Sequence, residues 1–160
     1  MIQKHILNQY LPLPVFFFIP SVYFVVHSTE EVPAFGPWAT EHFAPLSTGL
    51  FATVHIPLLL LVFLASYKAA HIQRHGGWVI FAVAIQIQFG LNALFHLTTA
   101  ALFLEYAPGM LTGGSLGLLL TFYMLKRVWQ EKLLTGQELL LAFVEGLVLA
   151  VAAVSILFLH

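Results

Sequence analysis

Hydrophobic positions along the chain gather into long apolar runs separated by short polar stretches. Five runs reach the ~20 residues that an α-helix needs to cross a bilayer: 10–31, 47–67, 78–105, 110–129 and 137–160. The fold they predict is an all-α integral membrane protein, a bundle of five transmembrane helices forming one domain over residues 1–160. Prolines 12, 14 and 20 interrupt the first run and no small-residue cleavage site follows it, so it reads as a retained span rather than a signal peptide. Pro20 and Pro57 fall inside runs, where each removes a backbone donor and is expected to kink its helix. Pro33 is expected to end the first helix, and segments 32–46 and 106–109, which carry Pro and Gly, read as loops. Phe35, Gly36, Pro37, Trp38 and Phe43 give the first of these loops the aromatic content of chain lying at the headgroup level.

Charge adds an orientation to this pattern. Lys4 precedes the first run, Lys68 and Arg74 join the second to the third, and Lys126, Arg127 and Lys132 join the fourth to the fifth. All six basic residues fall on one face, which the positive-inside rule makes cytoplasmic; the amino terminus is then inside and the carboxyl terminus outside. Glu30, Glu31, Glu41 and Glu105 fall on the opposite, extracytoplasmic or lumenal face. Composition agrees: 60% of residues are hydrophobic and 8% charged, with mean hydropathy +0.92, against about 25% charged in soluble domains. A formal net charge of −1 gives no electrostatic footing for nucleic acid. With no cysteine, disulfides, iron–sulfur clusters and thiolate zinc sites are excluded, and a metal must be held by histidine, carboxylate, amide or water. Gly113, Gly114 and Gly117, and likewise Gly146, Ala150 and Ala153, recur at helical intervals and read as small faces that let helices approach closely. Membrane lipid is the expected surrounding partner, and a homo-oligomer or a membrane-protein partner stays open.

Candidate chemistry lies toward the glutamate-bearing face. In His27-Ser28-Thr29-Glu30-Glu31 the i, i+3 and i+4 positions of a helix project one imidazole and two carboxylates together. Asn92 and His96 stand at i and i+4 on the third run, with Gln88 a turn earlier and Thr99 a turn later; such a polar stripe faces protein or water rather than lipid. At helical rise, His27, His55 and His96 all lie roughly 9 to 13 Å inward of the outer ends of their runs. Three antiparallel neighbours can therefore bring three imidazoles and two carboxylates around one pocket. His27, Glu30, Glu31, His55 and His96 are candidate ligands for a divalent transition metal, zinc or iron, with one carboxylate free to act as general base or to bridge a second ion. Asn92 is then placed to orient a ligand or substrate. Glu41 and His42 are candidates for a lid, whereas His71 and His75 read as solvated in a turn and His5 and His160 as terminal. Glu145, well inside the fifth run, is expected to pair with a Lys or Arg or to be protonated.

At these residues the sequence resembles the HXXEE family of small hydrophobic proteins, named for the motif that His27, Glu30 and Glu31 reproduce. A middle-span histidine preceded by asparagine matches His96 and Asn92, and the Tyr-x-Pro-Gly turn matches Tyr106, Ala107, Pro108 and Gly109. The resemblance implies shared functional residues and names no substrate; His55 enters on depth alone. The turn also has its own physics, because Pro presets one torsion and Gly permits positive φ, so the chain reverses tightly. Tyr106 can then point its hydroxyl into the pocket, which makes Glu30, Glu31, Asn92 and Tyr106 the candidate catalytic groups. Three readings follow. The first is a membrane-embedded, metal-dependent hydrolase or oxidase acting on an apolar or lipid-like substrate from the outer leaflet. The second is a haem-binding electron carrier with two of the three histidines as axial ligands. The third is a non-enzymatic membrane subunit or proton-coupled carrier.

Overall fold

The structure, a computed structural model, describes residues 11–72, 76–155 and 158, and their regular elements are all helical. In chain order these are α1 (Leu13–Phe17), α2 (Ile19–His42), α3 (Thr48–Tyr67), α4 (Gly77–Phe103), α5 (Leu118–Gln130) and α6 (Gly136–Ser155). A π-helical turn, Lys68–Ile72, continues α3, and a second, Thr112–Gly117, leads into α5. Among the described residues, four stretches are long and apolar enough to cross a membrane: Leu13–His42, Thr48–Ile72, Gly77–Phe103 and Gly136–Ser155. The run 110–129 is helical too, but it is not among the four. Lys126 and Arg127 lie within it and shorten its apolar length. Lys4, His5, Tyr10, Arg74, His75 and His160 lie outside the described residues.

The prolines act differently from the sequence expectation. Pro20 does not kink a helix interior: it occupies the first turn of α2, after a break at Phe18, where its missing donor is not needed. Pro33 does not end the helix. α2 runs through Pro33 and Pro37 to His42, so most of the loop expected over 32–46 is helix and only 43–47 is irregular. The reason is tertiary. Phe35, Trp38 and Ala39 on this last part of α2 are buried with Ala107, flanked by Phe43, Phe51, Phe95 and Phe103, and this packing holds the backbone helical despite the lost donors.

α4 is the central element, with 61% of its apolar window buried against 11% for those of α3 and α6. Small residues set its neighbours' distances. A Cβ on Gly146 of α6 would fall 2.8 Å from the Ala84 carbonyl oxygen, and one on Gly90 of α4 would fall 2.9 Å from Thr121 of α5. α2 is tied to α3 by Ser21 donating to Ser66 at 2.8 Å. Helix starts carry ordinary caps: Ser47 accepts from the Leu50 N–H at 3.1 Å, and Thr135 and Glu138 form a reciprocal capping box before α6.

Candidate metal centre

One turn of α2 separates His27 from Glu31, and one turn of α4 separates Asn92 from His96, so each helix lays two polar side chains over one another on its buried face. The two pairs meet. Glu31 Oε1 lies 3.1 Å from His96 Nε2, and Glu31 Oε2 lies 3.5 Å from His27 Nε2. Asn92 Nδ2 sits 3.1 Å from both His27 Nε2 and His96 Nε2. The group is closed to solvent, with His27 1%, Glu31 6% and His96 0% exposed. From α3, His55 Nε2 approaches Glu31 Oε2 at 3.6 Å. His27, Glu31 and His96 each offer a ligand atom within 4.8 Å of the others, so the three form a buried group that can hold a metal ion; His55 adjoins it through the carboxylate.

Hydrogen bonds on the far side of the rings fix what these nitrogens present. His55 Nδ1 lies 2.8 Å from the Phe51 carbonyl oxygen, which only accepts; Nδ1 therefore carries a proton, and Nε2 of the neutral ring is a bare lone pair aimed at a carboxylate. Two acceptors facing each other in a buried place require a cation between or beside them, either a proton or a metal ion. On the other side, His27 Nδ1 lies 2.9 Å from Thr112 Oγ1 in the second π-helical turn. Aromatic rings hold the imidazole planes: Tyr23 stacks on His27 with centroids 5.4 Å apart, and Phe24 stacks on His55 at 5.5 Å. Tyr23 Oη and His96 Nδ1 are buried and have no hydrogen-bond partner among the described residues.

Glycines close the group from above. Gly109, at φ +91°, lies so near that a Cβ would fall 2.8 Å from His27 Cε1 and 2.9 Å from His96 Cε1. At Gly113 the corresponding distances are 3.4 Å to His27 Cε1 and 3.3 Å to His96 Cδ2. Gly109, read from sequence as part of the turn, and Gly113, read as part of a packing face, therefore roof the histidines, whereas Gly114 and Gly117 face Leu97 and Tyr23.

The structure does not bring every candidate together. Glu30 points away from the group: its Oε1 accepts from the Tyr106 hydroxyl and from the Leu111 N–H at 2.9 Å, and its Oε2 from the Thr112 N–H at 2.7 Å. Tyr106 accordingly binds Glu30 rather than reaching the histidines. Its phenol is pushed up to about 12 by burial and by the Glu30 carboxylate that accepts its proton, so it remains a donor. His42 pairs with Glu105 at 2.6 Å, and Trp38 Nε1–H donates to the same oxygen at 2.6 Å, which pins the end of α2 to the turn after α4. Thr99 bonds back to the Phe95 carbonyl within its own helix, and His71 is exposed. Glu145 Oε2 is buried with no hydrogen-bond partner among the described residues, while Arg127 is paired with Glu131 at 2.9 Å. Residues that the sequence reading missed are Thr112, Gly109 and Gly113 as neighbours of the imidazoles. The Tyr-x-Pro-Gly turn was their one signal, since it fixed where the chain reverses above His96.

The described chain is thus an all-helical protein with four helices of membrane-crossing length and a buried histidine–carboxylate group between two of them. It belongs to the family described as "Protein of unknown function with HXXEE motif", whose model matches residues 18–124. The match takes in the motif itself, Asn92, His96, the Tyr106–Gly109 turn and Thr112. Among curated proteins and among solved structures, none matches it.

Proposed function

We propose that this chain is a membrane-embedded, metal-dependent enzyme, a hydrolase or an oxidase, acting on an apolar or lipid-like substrate, with its centre at His27, Glu31 and His96. The observation that carries the reading is the spacing of the donors. One ligand atom from each of the three residues lies within 4.8 Å of the other two, and each carboxylate oxygen faces one imidazole nitrogen, Oε1 that of His96 at 3.1 Å and Oε2 that of His27 at 3.5 Å, near the ~3.3–3.4 Å between ligand atoms on a tetrahedral ion with bonds of about 2.0–2.1 Å. Two imidazoles and one carboxylate leave coordination positions open, which suits a catalytic rather than a purely structural ion. Zinc held there would supply a Lewis acid and an activated water, and iron a redox centre; the ligand set does not choose between them. Glu31 and the two histidines would hold the ion, Asn92 donates to the ligand side of both rings, and His55 is poised on Glu31 Oε2 to hold or pass a proton.

An apolar substrate is favoured by the surroundings. The group is lined by Tyr23, Phe24, Phe35 and Phe51 and flanked by α3, whose outer face is open to the bilayer. The topology we propose is five crossings with the amino terminus cytoplasmic, which places the centre toward the extracytoplasmic or lumenal face. A haem between the histidines is disfavoured, because the macrocycle would have to pass between two rings that share one amide nitrogen at 3.1 Å. A proton-coupled carrier is favoured instead if the cation between His55 and Glu31 is only ever a proton.

Metal content of protein purified in mild detergent separates these readings. About one zinc or iron per chain is expected, lost in His27→Ala, Glu31→Ala and His96→Ala and kept in His71→Ala. Equal metal in all four variants, or none in the wild type, would remove the metalloenzyme reading.

A further inference from the structure

Glu30 is half of the motif's carboxylate pair, yet its oxygens are spent on the turn after α4. It accepts from Leu111 N–H, Thr112 N–H and the Tyr106 hydroxyl, two of them among the backbone donors that the start of a helix leaves unpaired. An amide nitrogen only donates, so Asn92 Nδ2, 3.1 Å from His27 Nε2, makes that ring nitrogen the acceptor and leaves Nδ1 to donate to the Thr112 hydroxyl oxygen, 2.9 Å away. His27 Nδ1 must then be the protonated nitrogen, and the lone pair of Nε2 is turned toward Glu31, Asn92 and His96. Residue 30 therefore reaches residue 27 through a residue more than eighty positions away, on another element.

We infer that Glu30 and Thr112 are the positioning residues of this centre: Glu30 anchors the backbone of the second π-helical turn and so places the Thr112 hydroxyl, which accepts from His27 Nδ1 and fixes the tautomer and plane of the ring so that Nε2 is the ligand nitrogen. The inference rests on the metal reading above, and it divides the motif's labour. Glu31 holds the ion, while Glu30 holds the residue that holds the histidine. A partner of this kind typically changes metal affinity about 10- to 100-fold without changing the ligand count. Thr112 was invisible in sequence because it sits in a Thr-Gly-Gly-Ser run that reads as helix packing.

The test uses the full-length protein in detergent with cobalt(II) as the probe metal, alongside nitrogen NMR of isotope-labelled histidine on the metal-free protein. Wild type is expected to show the His27 imidazole, its signals assigned by their loss in His27→Ala, locked as the Nδ1–H tautomer. Thr112→Val should release that preference and weaken cobalt binding about 10- to 100-fold at unchanged stoichiometry. Thr112→Ser, which keeps the hydroxyl, should restore both, and Glu30→Gln should behave like the valine variant. The inference is overturned if Thr112→Val leaves tautomer and affinity unchanged, if serine fails where it should rescue, or if Glu30→Gln abolishes stoichiometric binding as a lost ligand would. Wild-type protein that takes up no cobalt sinks the metal reading by itself, and the tautomer measurement still decides the relay.

Discussion

A methyl group on Gly109 would stand 2.8 to 3.0 Å from the two imidazoles, closer than real Cβ contacts, on a backbone at φ +91° that L-residues rarely adopt. Either the turn moves or the histidines do. Gly109→Ala is therefore expected to lower both the detergent melting temperature and cobalt affinity, since a non-glycine residue in such a region costs on the order of 1–3 kcal/mol before any clash. Gly49→Ala, with nothing within 4 Å of its Cβ position, is the control and should leave both unchanged or slightly raise stability. Parallel thermal melts and cobalt titrations check this; equal behaviour of the two variants would mean that the roof is slack. At this scale the sequence was informative wherever periodicity applies. His27 with Glu31, and Asn92 with His96, are i, i+4 pairs on single helices, and both pairs came together. Glu30 was misplaced because i+3 and i+4 diverge across a helix face by enough to send one carboxylate to the centre and the other to the turn.

Among the helices, apolar length fixed α3 and α4 to within two residues, because uniform burial in lipid or protein leaves a clear stop where Pro, Gly and charge begin. The end of α2 was not legible. Pro33 and Pro37 carry a strong local signal for a break, and it is overridden by Phe35, Trp38 and Ala39 packing on Phe103 and Ala107, contacts distant in sequence. The consequence is functional, since the motif lies in mid-helix instead of at a frayed end, where side chains are held. The π-helical turn Thr112–Gly117 was equally hidden, as nothing in hydropathy distinguishes it from α-helix. Its position beside His27 and His96 fits the tendency of such turns to occur at functional sites.

For the molecule as a whole, the charge pattern predicts more than the fold alone can carry, namely five crossings and a cytoplasmic amino terminus. Because the chain has no cysteine, single cysteines report its topology cleanly. A cysteine at Lys132 should react with a membrane-impermeant thiol reagent only after cytoplasmic access, and one at Glu41 from outside the cell or vesicle. The same side for both would break the five-span topology while leaving the centre intact. The proposed metal centre is independent of that topology: His27, Glu31 and His96 are proposed to hold one ion. X-ray absorption at the metal edge of the purified, metal-loaded protein tests it most directly. The expected spectrum shows the multiple-scattering pattern of two imidazoles together with oxygen donors at about 2.0–2.1 Å, reduced to one imidazole in His96→Ala if any metal remains. A wild-type spectrum with oxygen donors alone, showing no imidazole, would contradict it.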